Sequence, residues 1–351
     1  DLHSFPTRRS SDLEPEDLIE GKQLLLVPAG ALRQLPFQVL VKTLPSNGDQ
    51  KRADWLIRHH AMTVLPAVSS LKALRRVARA SAAKRPLVGF GNPLLEGPDR
   101  RYAKWAAKAR AYRSCKTPDA QQIASLDLRR DVLPVAKRGV LTDPEDILFQ
   151  VPLPETADEL CAVAQNVGAE PRDIHLGAEA TEREIKSLSD SGALAQYRIV
   201  HFATHGAMAG QIGEGTEPGL ILTPPNAASE LDDGYLTSSE IAGLKLDADW
   251  VILSACNTAA GNNADAEALS GLARAFIYAQ ARALLVSHWS VASHAAVALV
   301  TTAMHEMAQH TKMGRAEALR QAMLALIDTG KPQDAHPSVW APFVVVGEGG
   351  R

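Results

Sequence analysis

At 351 residues and 46% hydrophobic composition, the chain is long enough for two ordinary domains or one large α/β domain with a substantial core, which excludes disorder as its default state. Lysine and arginine number 37 against 40 aspartates and glutamates, a formal charge of -3, so no global field draws the protein onto nucleic acid or an anionic membrane. Cys115, Cys161 and Cys256 are odd in number and widely spaced, which fits neither a secreted disulfide framework nor a CxxC zinc site, and a reducing cytoplasm is the simplest setting.

No apolar stretch reaches membrane-spanning length and no signal-peptide pattern opens the chain, so a soluble, unexported protein with no membrane partner is expected. Residues 1–13, "DLHSFPTRRSSDL", share no periodicity with the rest of the chain. They resemble translated sequencing-adapter read-through, which would make the remainder the C-terminal part of a longer protein. Residues 21–96 hold the first set of elements. "KQLLLV" reads as a buried strand closed by Pro28 and Gly30, "MTVLPA" and "PLVGFGNP" as two more, and "SSLKALRRVARASA" between those two as a helix. Strand, helix, strand predicts a parallel sheet. Residues 97–150 are basic and broken by Pro and Gly, an insertion or linker whose charges form a solvated face.

Alternation resumes over residues 151–347. "LPETADELCAVAQNVG" predicts a helix with a Thr or Asp cap, "DIHL" a strand, "ATEREIKSL" a helix and "YRIVHFATHG" a strand. "PGLILTP" and "DWVILSAC" read as strands, "SGLARAFIYAQ" as a helix and "RALLVSHW" as a strand. Two long helices, "AAVALVTTAMHEMAQH" and "RAEALRQAMLALID", precede a last strand, "APFVVVGEG". Apolar, unalternating strands between helices predict an α/β fold with a parallel or mixed sheet covered on both faces.

In such sheets ligands bind beyond the carboxyl ends of the strands. "RIVHFATHG" delivers His205 and Gly206 there, and "DWVILSAC" delivers Cys256. A thiol beside an imidazole and a helix N-terminus is the nucleophile that acyl transfer requires. The backbone N–H groups of Gly206 and Cys256 would meet the developing oxyanion. Asn257, Thr258 and Gly261 let the backbone leave the strand sharply and hold the sulfur within reach. Asp233, Asp265 and Glu267 are acidic loop residues that are either solvated or would favour a basic side chain in whatever binds there. His201 and His205, four apart on one strand, share a face but lack a third metal ligand, so His201 is expected as a packed core residue and no metal is expected. "GFGNPLLEG" lacks the dinucleotide spacing, and no cofactor is expected.

The ordered blocks "RIVHFATHG", "DWVILSACNTA", "LSGLARAFIYAQARALLVSHWSV", "GRAEALRQAM" and "HPSVWAPFVVVG" resemble the CHAT family, caspase-like domains found behind tetratricopeptide repeats. The resemblance runs from about Gly21 to Gly347. It implies a caspase-like three-layer α/β/α sandwich with a mostly parallel central sheet, with residues 21–96 as a possible inactive half and 151–347 as the catalytic part. It also implies a His205/Cys256 dyad acting as a cysteine endopeptidase, a hydrolase passing through a thioester. Likeness to caspases adds an extended protein or peptide substrate pairing with Ser287, His288, Trp289 and Ser290 by strand addition. The implied partner within the full chain is an upstream tetratricopeptide region, and the competing reading is a catalytically silent scaffold. Two departures from the family pattern, the stretch around Asp265 and Glu267 and Gln280 in place of a glycine, fall near segments expected to shape the substrate pocket.

Overall fold

The computed structural model describes residues 21–28, 35–43, 45, 48–65, 81–115, 137–138, 141–212, 215–254, 271–289 and 291–350, together with 19 and 32. Cys256, Asp265, Glu267, Ser290, the 1–13 tail and the helix expected over "SSLKALRRVARA" lie outside them. In chain order the strands are β1 Leu24–Leu26, β2 Met62–Val64, β3 Arg85–Gly91, β4 Lys137–Arg138, β5 Leu141–Thr142, β6 Ile174–Leu176, β7 Tyr197–Ala203, β8 His205–Ala207, β9 Gly219–Ile221, β10 Tyr235–Thr237, β11 Trp250–Leu253, β12 Ala283–Ser287 and β13 Phe343–Gly347. The helices are α1 Leu56–His59, α2 Ala103–Ala111, α3 Pro144–Leu148, α4 Glu155–Val167, α5 Glu182–Asp190, α6 Ser238–Ala242, α7 Gly271–Tyr278, α8 Ser293–Gln309, α9 Arg315–Thr329 and α10 Pro337–Trp340.

Eight strands form one sheet in the order β1-β2-β13-β12-β11-β7-β3-β6. All neighbours pair in parallel except β12 and β13. The sheet is therefore two parallel blocks, β12-β11-β7-β3-β6 running one way and β1-β2-β13 the other. Segment 21–96 contributes to both blocks, β1 and β2 to one and β3 to the other.

Strand side chains alternate between two cores, as strands buried on both faces must. Leu87, Trp250, Ile252, Leu285 and Val345 pack beneath α4, α8 and α9, whereas Val88, Phe90, Val200, Phe202, Val251 and Leu284 pack against α5, α6 and α7. The result is a three-layer α/β/α arrangement with a mostly parallel central sheet. Helix ends follow local chemistry: Thr181 caps α5 by accepting from Glu184 N, and Thr237 and Glu240 form a reciprocal capping box on α6. The cap expected from Thr or Asp on α4 is not made; Pro154 opens that helix with no side-chain cap, and Gly168 at φ 69° closes it.

A second, three-stranded antiparallel sheet, β10-β9-β8, stands at the carboxyl end of β7. The stretch "YRIVHFATHG", expected as one strand, divides at Thr204, and "GLI" pairs with β8 and β10 instead of entering the large sheet. His201 and His205 consequently sit on different strands.

The cysteine expectation needs correction. Cys115 and Cys161 form a disulfide with a Cα–Cα separation of 5.3 Å. The 46 positions between them conceal that the chain leaving α2 returns alongside α4. Among the described helices none is long and apolar enough to cross a membrane.

Candidate active site

The site is built at the carboxyl edge of β7 and β11. These strands are parallel neighbours with Leu253 opposite Phe202, and Ser254 N donates to Phe202 O at 2.9 Å. Three residues after Phe202 comes His205; three after Leu253 comes Cys256. The adjacent strands thus deliver the two chain ends to one edge, with Ser254 the last described residue before the cysteine.

His205 is fully buried and opens β8, where it pairs with Ile221 of β9. Its Nε2 lies 2.7 Å from the carbonyl oxygen of Val151. A carbonyl only accepts, so Nε2 carries the proton in that bond, and in a singly protonated ring the lone pair is then on Nδ1. Val151 belongs to the short run leading into α4. Gly206, equally buried, pairs with Leu220.

Two further titratable groups join β7 to α4. His201 of β7 and Glu159 of α4 are both wholly inaccessible, with Nε2 and Oε1 3.0 Å apart. His201 is a core residue, as expected, but one held to an acid that the sequence reading did not single out. A signal existed: Glu159 falls on the stripe of α4 that carries Leu160 and Val163, both fully buried. An acidic residue among core-facing positions is buried only with a partner.

The other expected site residues are distributed differently. Asp233 lies in the turn before β10, nine-tenths buried. Its two carboxylate oxygens accept from Thr142 N at 2.6 Å and Tyr235 N at 2.9 Å, and its own N–H donates to Glu182. These bonds make it the residue that holds the 142 and 235 loops together. Burial pushes the Glu182 carboxyl well up from its ordinary range, with Lys186 opposing the shift. Ser287 ends β12, which is hydrogen-bonded to β11 on one side and β13 on the other. The β11 pairing covers Leu284 and Leu285, and the β13 pairing runs on to Ser287, opposite Phe343.

His288 and Trp289 follow β12, with His288 N donating to Pro342 O. The Trp289 indole N–H donates to Ser338 O at 3.0 Å while its ring packs on the α4 and α8 side. The His288 ring is buried, neither nitrogen has a hydrogen-bond partner among the described residues, and burial lowers its pKa to about 4. Gln280, expected near a segment that shapes the pocket, sits in the turn before β12 at φ 75°. That is the opposite end of the strand from the site. Among the described residues no group of three His, Cys, Asp or Glu side chains is arranged to hold a metal ion.

The CHAT domain model matches residues 10–348, nearly the whole chain. The chain belongs to the CHAT family. Curated relatives of this CHAT domain include tetratricopeptide repeat protein 28 of Mus musculus, 26% identical over 227 residues, which is 56% of this chain and 9% of that protein. The Homo sapiens protein of the same name is 26% identical over 223 residues, 56% of this chain and 8% of its own. The CHAT domain chain thus spans less than a tenth of these relatives. Among solved structures it is similar to the separase of the Saccharomyces cerevisiae separase–securin complex, with a TM-score of 0.42, 13% identity and coverage of 93% of this chain and 16% of that one. It is also similar to the Arg-specific cysteine proteinase gingipain R, with a TM-score of 0.42, 8% identity and coverage of 83% and 54%.

Proposed function

We propose that this CHAT domain is a cysteine endopeptidase in which His205 activates Cys256. The observation that carries the reading is the bond from His205 Nε2 to the Val151 carbonyl. It presets the tautomer whose Nδ1 accepts a proton, two residues past the end of β7, the strand adjacent to the one that leads to the cysteine. Nδ1 takes the thiol proton, and the thiolate attacks the carbonyl carbon of a peptide bond. The resulting oxyanion is met by backbone N–H groups of Gly206 and Cys256. The imidazolium returns its proton to the departing amine, leaving a thioester, and water attacks that thioester with His205 again as base. In a full-length chain the domain acts as the effector behind a tetratricopeptide region, where repeats recruit or sense a partner.

The test is covalent labelling with a panel of peptidyl acyloxymethyl ketones, comparing wild type with Cys256→Ala and His205→Ala by mass spectrometry. An adduct on Cys256 that His205→Ala abolishes is the expected result. Absence of an adduct in the full-length chain under every trigger tried would favour the scaffold.

A further inference from the structure

We propose that Glu159 and His201 are positioning residues for His205, acting through α4 to set the tautomer of its ring. The proposal rests on the endopeptidase reading above for its purpose, although its geometry does not depend on it.

The core does not need the Glu159–His201 pair for stability. A carboxylate and an imidazole with no accessible surface are expensive to dehydrate, and well-packed apolar side chains of similar volume generally serve stability as well or better. Their position explains more. His201 lies four residues before His205, and Glu159 eight residues after Val151, whose carbonyl accepts from His205. The same two chain segments are therefore joined twice, once by the buried pair and once by the tautomer-setting bond. The run between Val151 and α4 is itself braced, because Thr156 Oγ1 donates to Leu153 O at 2.7 Å and accepts from Asn92 N at 2.8 Å. Rotation or sliding of α4 against β7 is thus transmitted to the Val151 carbonyl. The directional bond between Glu159 and His201 opposes such sliding, whereas apolar contacts, being non-directional, oppose it weakly. If the carbonyl retreats, the Nε2 proton loses this acceptor, and the fraction of rings presenting a basic Nδ1 falls.

The experiment uses 15N-histidine-labelled protein at pH 7.5, reading the His205 tautomer from long-range proton–nitrogen correlations assigned with His205→Gln. The rate of Cys256 alkylation by iodoacetamide is measured in parallel. Wild type is expected as the Nε2–H form. Glu159→Ala should show a mixture of tautomers and alkylation slower by roughly tenfold to a hundredfold, the scale of an ångström-sized misplacement. Glu159→Gln, whose amide oxygen still accepts from His201, should restore both. The double variant Glu159→Leu with His201→Phe refills the space with apolar groups, so it reports on tautomer even where Glu159→Ala does not fold. Val163→Ala, on the same helix without a polar contact, should lower stability and leave the tautomer unchanged. An unchanged tautomer in folded Glu159→Ala or in the double variant would overturn the proposal, as would an equal change in Val163→Ala. A tautomer that shifts as expected while wild-type Cys256 alkylates without dependence on His205 would uphold the positioning role and sink the endopeptidase reading instead.

Discussion

Gly91→Ala probes how tightly the strand that ends in the site is packed. Gly91 is the last residue of β3 and lies opposite Ala203, two positions before His205. A Cβ there would fall 2.6 Å from Leu160 Cδ1, 2.8 Å from the Ala203 carbonyl oxygen and 3.3 Å from Ala203 Cβ. The leucine tip can rotate at some expense, but the carbonyl is backbone of an interior strand and yields only if the ladder moves. Overpacking of this kind costs about 1–3 kcal/mol. The lower entropy of the unfolded alanine chain returns about 0.4–1 kcal/mol, so the net loss lies between about 0 and 2.6 kcal/mol, toward the upper end because the contact is with backbone. Gly89→Ala is the internal comparison. Its closest neighbours, Leu160 Cδ2 at 2.9 Å and Ile174 Cδ1 at 3.2 Å, are ends of side chains, so the loss should be smaller. Urea unfolding monitored by fluorescence, with the midpoint compared at constant slope, gives both values. The Ala203 carbonyl also predicts that Gly91→Ala slows labelling of Cys256 more than Gly89→Ala does. A Gly91→Ala protein as stable as wild type, or a larger loss in Gly89→Ala, would refute the close-packing argument.

Three further outcomes rest on single features. Burial holds the His288 pKa near 4, below the unfolded value of about 6.5; its contribution to stability is complete above pH 6.5 and disappears as pH falls from there through 4, a change of about 3 kcal/mol. His288→Phe should remove that part of the acid sensitivity and stabilise the neutral protein by relieving two unpartnered ring nitrogens, as read by thermal unfolding from pH 4 to 8; an unaltered profile would refute it. Gln280 holds φ 75° where its N–H donates to Ile277 O at a helix end, so Gln280→Gly should raise stability by up to about 1 kcal/mol in urea unfolding without altering Cys256 labelling. Closing a loop of 46 positions by the Cys115–Cys161 disulfide stabilises by up to about 4 kcal/mol in the chain-entropy account. In a Cys256→Ala background, a dithiol reductant should therefore lower the urea midpoint, and alkylation of both remaining cysteines in the unreduced protein would disprove the bond.

The strands and helices that carry the site were legible because burial on both faces writes itself into composition. "RIVHFA" and "DWVIL" are apolar without alternation, and only a strand covered on both sides tolerates that. What was not legible depends on contacts distant in sequence. "GLI" has the same apolar signature as a sheet strand, but the break at Thr204 turns the chain into a separate antiparallel sheet. Nothing in "APFVVVG" states that it runs against β12 rather than with it. Cys115 and Cys161 became partners only through the return of the chain past α2. Glu159 was hidden for another reason: acidic residues near a helix start read as caps and dipole partners, and that expectation masks one that points inward.

The dyad reading needed far less than the topology. It required two parallel strands to be neighbours and to end at matching heights, conditions that the β7–β11 register meets with Phe202 opposite Leu253. Neither the place of β13, nor the reversal of direction beside it, nor the small sheet alters that relation. The tautomer is different, because it depends on Val151, a residue with no reactive group, no motif and 54 positions between it and His205. A sequence pattern can nominate a base and a nucleophile from their side chains. Which nitrogen of His205 faces a backbone carbonyl depends instead on where the run before α4 lies against β7, and on the proposed reading that contact sets the tautomer of the base.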